Sequence, residues 1–344
     1  MHKLANGRWK LVLNIATFLA LAVLIIAVRR QIFLTIDNLR RVDFWVLPAM
    51  LVWQAINYHS YTRLYMQYFK ILGEHIRYKS MLRVTMEVNF INTVFPSGGV
   101  SSFSYFSLRM KDAGVSGTKS TLVQLVKFIS IFLSFQILLV AGLLMLAIGG
   151  SANRLTILVA GSLATLLVVA TFGLAFIIGS KSRINSFFTF LTRLVNKSIY
   201  FFRRQKSETI SIAKARENVT TLHENYLMLK SDWRALKAPL LWALAANTTE
   251  ILTIYTVYVA FGQFVNPGAV ILAYAVASFA GFISVLPGGV GIFEALMTGV
   301  LVAAGVSPGL SIPVTIMYRI LNMLIQLPPG YYFYNKNMHK KKPA

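Results

Sequence analysis

Long runs of apolar residues, separated by shorter polar stretches, fill most of this chain. A helix that crosses a bilayer needs about 20 mostly apolar residues. Six runs meet this need or come close to it, at residues 11–28, 44–61, 122–148, 155–178, 239–261 and 311–333. The pattern predicts an all-α polytopic membrane protein with six spanning helices.

Two further apolar stretches, residues 80–106 and 267–305, are each interrupted by proline and glycine. The interruptions read FPSGGV at residues 95–100 and LPGGVG at residues 286–291. Proline lacks a backbone donor and glycine holds a helix poorly, so each stretch divides into two half-helices. Broken backbone at membrane depth is tolerated where protein or water covers it. We therefore predict two re-entrant hairpins; full crossing by both hairpins is the alternative, and it raises the span count to ten.

The charge balance agrees with a membrane protein and orients it. The chain has 34 basic and 11 acidic residues, a net charge of +23, and 56% hydrophobic residues. A soluble nucleic-acid-binding protein would not be this hydrophobic, and neither would a disordered chain. In the six-span topology, 27 basic residues lie on one face and five on the other. The positive-inside rule makes the richer face, with both termini, cytoplasmic, and we expect a multi-pass protein of the cell membrane.

The two interruptions divide the chain into two halves that resemble each other. Residues 1–180 form an N-terminal membrane half and residues 239–335 a C-terminal half, and each interruption is followed about 30 residues later by a cation, Lys127 or Arg319. Three spans separate the hairpins, so the hairpins enter from opposite faces. This arrangement predicts an inverted repeat of the kind found in transporters, with broken helices meeting near the midplane.

Between the halves, residues 181–238 form a basic loop with apolar residues at helical spacing. We expect an amphipathic cytoplasmic segment on the membrane surface; a linker that is anchored only by its charge is the alternative. Residues 336–344 form a basic cytoplasmic tail.

Charged residues inside apolar segments are the first candidates for a site, because a charge at the centre of a spanning helix costs about 2.5–3.5 kcal/mol. Arg319 and Glu250 fall near the middle of their spans, and Lys127 lies close enough to an end to reach the cytoplasm. Glu294 falls in the first turn of the second returning half-helix, and Glu87 lies on the descending arm of the first hairpin. Structural ion pairs inside the bundle are the alternative interpretation for these side chains.

The two turns are candidates for binding an anion. Backbone N–H groups at the start of a half-helix attract negative charge, and a nearby Arg319 guanidinium would favour a phosphate. The turn residues predicted to contact substrate are Pro96, Gly98, Gly99, Pro287, Gly288, Gly289 and Gly291.

Several kinds of chemistry are not indicated. The chain has no cysteine and five scattered histidines, so we predict no metal site. There is no Walker P-loop, no Gly-x-Ser-x-Gly elbow and no carboxylate pair at catalytic spacing. We expect no cofactor and no enzymatic activity, with a membrane-embedded lipid transferase as the alternative.

The second interruption and its surroundings resemble a known family signature. Residues 284–294 (SVLPGGVGIFE), with Tyr318 and Arg319 downstream, are similar to the motif of the lysylphosphatidylglycerol synthase transmembrane family, also called flippase-like domain proteins. Residues 95–99 (FPSGG) resemble the motif of the family's first half. The resemblance covers nearly the whole chain and implies a flippase fold that moves phospholipids or lipid-linked saccharides between leaflets.

Two departures from the family pattern affect what is expected. Members that make aminoacyl lipids carry a soluble transferase domain after the membrane part, whereas this sequence ends at Ala344, so a stand-alone member without synthase activity is expected. The family usually has an acidic residue or arginine soon after the first Gly-Gly and an arginine where Lys127 stands. Here Val100, Ser101 and Ser102 follow the glycines, which weakens the case for a head-group role of that hairpin.

Together these observations predict a translocator for an amphiphile with a phosphate head group, such as a phospholipid, an aminoacyl-phospholipid or a polyprenyl-linked saccharide. Its partners would be membrane lipids, anionic or carrying a lipid-linked phosphate, and not nucleic acid. Two alternatives use the same features: a secondary transporter of a small anionic solute, and a non-transporting subunit that docks a lipid-modifying enzyme or glycosyltransferase on residues 181–238.

Overall fold

A computed structural model of the chain describes residues 2–95, 100–150, 153–186, 189, 224–228, 234–283 and 286–338. All the regular elements in this part of the chain are helical, as predicted. In chain order the helices are α1 (His2–Asn38), α2 (Ala49–Ile71), α3 (Tyr78–Val94), α4 (Val100–Asp112), α5 (Gly117–Ile148), α6 (Arg154–Ile178), α7 (Lys237–Ala260), α8 (Pro267–Ile283), the 3₁₀ turn Pro287–Gly289, α9 (Ile292–Ala303) and α10 (Pro308–Met338).

The helices long and apolar enough to cross a membrane number five in the described residues. They are α5, α6, α7, α10 and the segment Leu19–Asn38 of α1. The sixth predicted span corresponds to α2, which has 23 residues but a more polar composition. Its polar side chains, including Gln54 and Asn57, are buried against the rest of the bundle. The helix can therefore lie inside the protein without being uniformly apolar.

Each of the two stretches that are predicted to form hairpins contains a pair of short helices. The arms of the first, α3 and α4, have 17 and 13 residues, and those of the second, α8 and α9, have 17 and 12. At 1.5 Å per residue the longer arms reach about 25 Å and the shorter about 19 Å, less than a hydrocarbon core of about 30 Å. These lengths agree with re-entrant hairpins; whether the hairpins return to their own side stays a prediction.

Helices α2 and α7 pack against each other along their length and run in opposite directions. Trp53 contacts Thr256, and four residues later Asn57 contacts the carbonyl of Ala246, so numbers rise on one helix as they fall on the other. Each helix precedes its own hairpin, so the two occupy equivalent places in the two halves. Their antiparallel packing gives the halves opposite orientations, the relation that an inverted repeat predicts.

A second set of contacts between the halves is reciprocal. The first arm of each hairpin packs against the helix that follows the other hairpin, α3 on α10 and α8 on α5. These contacts are close: a Cβ at Gly330 of α10 would lie 2.6 Å from the Cβ of Phe90, and one at Gly268 would clash with the carbonyl oxygen of Gly142. Because glycine has no side chain, these positions allow the first arm of each hairpin to pack closely against a helix of the opposite half.

The second turn reaches the end of the first hairpin's descending arm. Gly288 has φ of 56°, in the left-handed region that favours glycine. A Cβ at Gly288 would lie 3.3 Å from the carbonyl oxygen of Thr93, near the end of α3. The turn of the second hairpin therefore contacts the first hairpin close to the residue at which α3 ends.

Much of the predicted loop 181–238 and of the tail 336–344 lies outside the described residues. The described parts are 181–186, 189, 224–228, 234–238 and 336–338. The amphipathic surface segment, the docking role of the loop and the division into domains stay predictions.

Candidate functional site

A cavity of about 300 Å³ lies between the two halves, lined by residues of α2, α3, α4, α5, α7, α8, α9, α10 and the second turn. Its size is at the lower end of ordinary ligand pockets. Most of its polar lining consists of amide and phenol side chains: Asn57, Asn89, Asn92, Asn247, Asn322, Gln326, Tyr58, Tyr61, Tyr65, Tyr274 and Tyr318.

Five of the predicted site residues line this cavity, namely Lys127, Glu250, Gly288, Gly289 and Arg319. The remaining predicted residues are distributed differently. Pro287 forms the turn, Gly291 caps α9, Glu294 lies behind Arg319, and Glu87 lies elsewhere. Pro96, Gly98 and Gly99 fall outside the described residues, so their predicted role stays a prediction.

Arg319 is held on the second hairpin by three contacts. Its Nε donates to Glu294 Oε1 at 3.1 Å, and its terminal nitrogen donates to the carbonyl oxygen of Gly288. Its guanidinium also lies over the ring of Phe293, 4.5 Å from the ring centroid. The side chain is only 14% exposed. Arg319 thus lines the cavity while its charge is already balanced by Glu294.

Glu294 also caps the helix that follows the turn. Its Oε2 accepts a hydrogen bond from the N–H of Gly291 at 2.6 Å, and a carboxylate at this position suits the positive end of the helix dipole. Gly291 has φ of 87°. These contacts support the alternative interpretation of Glu294, in which it forms a structural ion pair and caps α9.

The sequence predicts that the backbone N–H groups of the second turn bind an anion, but two of them donate to acceptors within the protein. The N–H of Gly289 donates to the carbonyl oxygen of Leu286 at 3.0 Å, and that of Gly291 donates to Glu294. Arg319 meets the carbonyl of Gly288 rather than sharing an anion with its N–H. Two of the turn's N–H groups, those of Gly289 and Gly291, therefore bind groups of the protein itself.

Glu250 lies on α7 and is 8% exposed. Its carboxylate accepts hydrogen bonds from three neutral donors: Gln54 Nε2 at 2.8 Å, the Tyr318 hydroxyl at 2.7 Å and Asn322 Nδ2 at 2.6 Å. No basic group lies within 4 Å of it in the described part of the chain. Three donors satisfy the buried carboxylate without an ion pair. The network continues through Gln326, which donates to Gln54 Oε1 at 2.9 Å.

Lys127 is the cation of the cavity that has no acidic partner. Its Nζ donates to the Tyr65 hydroxyl at 3.1 Å and lies 4.8 Å from the centroid of the Phe128 ring. Among the described residues, no carboxylate lies within 4 Å of it. The sequence analysis allowed the Lys127 side chain to reach the cytoplasm, but in the structure this side chain lines the cavity. A positive charge that is unpaired inside a bundle favours the approach of an anion.

Glu87 does not belong to the cavity. It is 1% exposed, and its carboxylate accepts hydrogen bonds from Arg109 Nε at 2.7 Å and the Tyr105 hydroxyl at 2.9 Å. Arg109 and Tyr105 lie on α4, so the interaction joins the two arms of the first hairpin. These contacts support the interpretation of Glu87 as a member of a structural ion pair. The sequence analysis did not identify Arg109 as its partner.

Sequence reasoning also missed the amides around Glu250. Tyr318, Asn322 and Gln326 are spaced four residues apart on α10, which places them on one face of the helix. Gln54 and Asn57 form a similar polar face on α2. Polar residues at helical spacing inside an apolar run are a signal that could have identified them, because such a face must point away from lipid. In the described residues, no group of three or more histidine or acidic side chains is placed to hold a metal ion.

Comparison with known proteins agrees with this architecture. The family pattern described as the lysylphosphatidylglycerol synthase TM region matches residues 11–330. A UPF0104 membrane protein of Methanothermobacter thermautotrophicus is 27% identical over 202 residues, 55% of this chain and 57% of that protein. A UPF0104 membrane protein of Pyrococcus horikoshii is 26% identical over 136 residues, 40% of each chain. The matches thus span about half the length of these relatives. Because the family pattern covers most of the sequence, this multi-pass membrane protein belongs to the lysylphosphatidylglycerol synthase transmembrane family.

Proposed function

We propose that this protein is a lipid translocator that moves an amphiphile with a phosphate head group between the leaflets of the cell membrane, without a chemical step. The observation that carries the proposal is the unpaired Lys127 in a polar cavity between two oppositely oriented halves. The phosphate would bind to Lys127, while acyl or prenyl chains stay in the surrounding lipid.

The charges of the cavity support a phosphate rather than a cationic head group. Arg319 is balanced by Glu294, and Glu250 is satisfied by three neutral donors. In the described chain, Lys127 has no carboxylate within 4 Å, and one of its three ammonium donors is bonded, to Tyr65. An entering anion gains a charge-assisted hydrogen bond there, whereas the carboxylate oxygens of Glu250 already accept three hydrogen bonds.

The amide and phenol groups of the cavity support a head group with several polar atoms. Asn92 and Tyr61 line the cavity beside the internal network. They can donate to and accept from the hydroxyl or ester oxygens of a glycerol or sugar unit. The antiparallel halves supply a mechanism, since rocking one half against the other would expose the cavity to each leaflet in turn.

The same cavity would also suit a small anionic solute, which is the competing proposal. A volume of about 300 Å³ can hold a head group or a free anion of similar size. The docking proposal depends on residues 181–238, and the contacts described above do not bear on it.

The test is leaflet exchange in proteoliposomes. Phosphatidylglycerol, phosphatidylethanolamine and a polyprenyl-phosphate sugar, each with a fluorescent head group, are reconstituted with the full chain, and the fraction accessible to an impermeant quencher is followed over time. Lys127→Gln should slow exchange about tenfold, the effect of losing one charge-assisted hydrogen bond.

Lys119→Gln is the matched control, because Lys119 lies on the same helix but pairs with Glu74 at 2.7 Å outside the cavity. Exchange should survive this change. If the wild-type chain exchanges no lipid and instead carries a soluble phosphate into the vesicles, the solute transporter replaces our proposal. If exchange occurs and both variants keep it, Lys127 does not bind the head group.

A further inference from the structure

A second, smaller cavity of about 170 Å³ lies at one end of the bundle, where α3 begins and where α4 and α10 end. It is separate from the central cavity, because α3 lies between them. Ser80, Arg83 and Glu87 line the small cavity, whereas Thr85 and Asn89 line the central one. This end carries the polar segments that the positive-inside rule predicts to be cytoplasmic. We name this smaller cavity the rim cavity.

The two acidic residues of the rim cavity are already engaged. Glu87 accepts from Arg109 at 2.7 Å and from Tyr105 at 2.9 Å. The carboxylate of Asp112 lies 3.6 Å from the Arg109 guanidinium. Arg109 therefore serves both acids, and the three side chains form an internal cluster along one side of the cavity.

Two other cations face the rim cavity without an acidic partner, Arg83 on α3 and Lys336 on α10. In the described chain, no carboxylate lies within 4 Å of either. Both contact aromatic rings of α10: the Arg83 guanidinium lies 5.8 Å from the centroid of Phe333, and the Lys336 ammonium lies 5.7 Å from that of Tyr332. Cation–π contacts of this kind favour a side-chain position without neutralising its charge.

The remaining polar groups of the rim cavity complete a set of donors. Ser80 offers a hydroxyl and Asn337 an amide, which also hydrogen-bonds the Tyr105 hydroxyl, and both line the same cavity as Arg83 and Lys336. A guanidinium pairs with phosphate in a bidentate way, and a lysine adds a point charge. Basic pockets at helix ends near the cytoplasmic surface are suited to the head groups of anionic lipids.

We propose that the rim cavity is a binding site for a phosphate monoester, held by Arg83 and Lys336 with Ser80 and Asn337 as neutral partners. The phosphate can come from a lipid head group in the adjacent leaflet or from a soluble metabolite, and both offer the same group to the same side chains. Among the described residues, the site shares no lining residue with the central cavity, so its ligand can differ from the amphiphile that is proposed to be moved.

The test measures phosphate binding to the purified full-length protein with two probes. In phosphatidylcholine nanodiscs that contain phosphatidic acid, native mass spectrometry gives the affinity for the lipid monoester. In pure phosphatidylcholine nanodiscs, calorimetric titration gives the affinity for glycerol phosphate. The variant Arg83→Gln with Lys336→Gln should weaken binding about a hundredfold, corresponding to the loss of two charged hydrogen bonds.

The control variant, Lys79→Gln with Lys111→Gln, removes the same charge. Lys79 and Lys111 are exposed on α3 and α4 but do not line the rim cavity, so binding should be unchanged. A selective loss for phosphatidic acid identifies a lipid site, and a selective loss for glycerol phosphate identifies a soluble ligand.

Equal losses in both variants would mean diffuse attraction to a basic surface and would overturn the proposal, as would the absence of binding by the wild-type protein. Arg83 and Lys336 are exposed, so both variants should unfold at the wild-type temperature. If the double variant does not fold, Lys336→Gln alone against Lys111→Gln alone makes the same comparison.

Discussion

Arg319 on α10 and Glu294 on α9 form an ion pair with 3.1 Å between Nε and Oε1, in which the two side chains are 14% and 10% exposed. The pair joins the last helix to the second hairpin, and the bond from Arg319 to the Gly288 carbonyl extends the connection to the turn. The arginine that would be the first choice for a phosphate site is thus committed to its own protein. Of the two cations that line the central cavity in the described chain, Lys127 is the one that can receive a ligand.

Removing both members of this pair should destabilise the protein by less than the sum of the two single removals. A buried charge that loses its partner costs about 3–5 kcal/mol. Arg319→Met and Glu294→Gln should each lower the thermal unfolding midpoint, and the double variant should lose less than the two single losses combined. Intrinsic fluorescence on heating in detergent measures the midpoints.

This comparison of single and double variants has a control on the same helix as Arg319. Tyr332→Phe changes an exposed side chain of α10, and we expect no shift in the midpoint. Strict additivity of the two single losses would contradict the prediction, because independent sites add and coupled sites do not.

The hydrogen bond from Gln54 to Glu250 lets us predict what happens when the side chains of these two residues are exchanged. In Glu250→Gln, one carboxylate oxygen becomes an NH₂ group that faces the donating Nε2 of Gln54, so the bond between the two is lost at a cost of about 1–3 kcal/mol. Adding Gln54→Glu should restore stability, because the new amide of residue 250 can donate to a carboxylate at residue 54, while its oxygen still accepts from Tyr318 and Asn322. Thermal unfolding of the three variants checks this, and Gln54→Glu alone should be the least stable, with two carboxylates in contact.

Gly330 and Gly299 offer a matched pair of helical glycines. A Cβ at Gly330 would lie 2.6 Å from the Phe90 Cβ and 2.8 Å from the Met86 carbonyl oxygen, whereas a Cβ at Gly299 meets no atom within 4 Å. Gly330→Ala should separate α10 from α3 and cost about 1–3 kcal/mol. Gly299→Ala should be neutral or stabilising by up to about 1 kcal/mol, because alanine favours a helix. Equal midpoints for the two variants would show that α3 and α10 are less closely packed.

Single cysteines test the predicted topology directly, since the chain has none of its own. His75→Cys and Lys111→Cys flank the first hairpin and should react with an impermeant maleimide only after cells are permeabilised. Gln263→Cys and Ser307→Cys flank the second and should react on intact cells. All four positions are exposed, so access is decided by the membrane. Opposite labelling of the two flanks of either hairpin would exclude a re-entrant hairpin there.

Much of the architecture can be predicted from the local pattern. The apolar runs and the Pro-Gly breaks identified the helices of both hairpins, because helix formation and its interruption depend on residues within a few positions of each other. The ends were less well determined. Helix α1 continues ten residues beyond the predicted Val28 to Asn38, since no proline or glycine stops it, and α2 begins at Ala49, after Pro48.

The pairing of charges could not be predicted in this way. Arg319 and Glu294 are 25 residues apart and Gln54 and Glu250 are 196 apart, so their contacts exist only after the helices have packed. The sequence by itself determined that charged and glycine-rich positions lie inside a helical membrane bundle, because composition and spacing are local properties. Only the tertiary structure decided that Arg319 is neutralised while Lys127 faces the cavity unpaired, because the balance of buried charges depends on which side chains the folded helices bring within hydrogen-bonding distance.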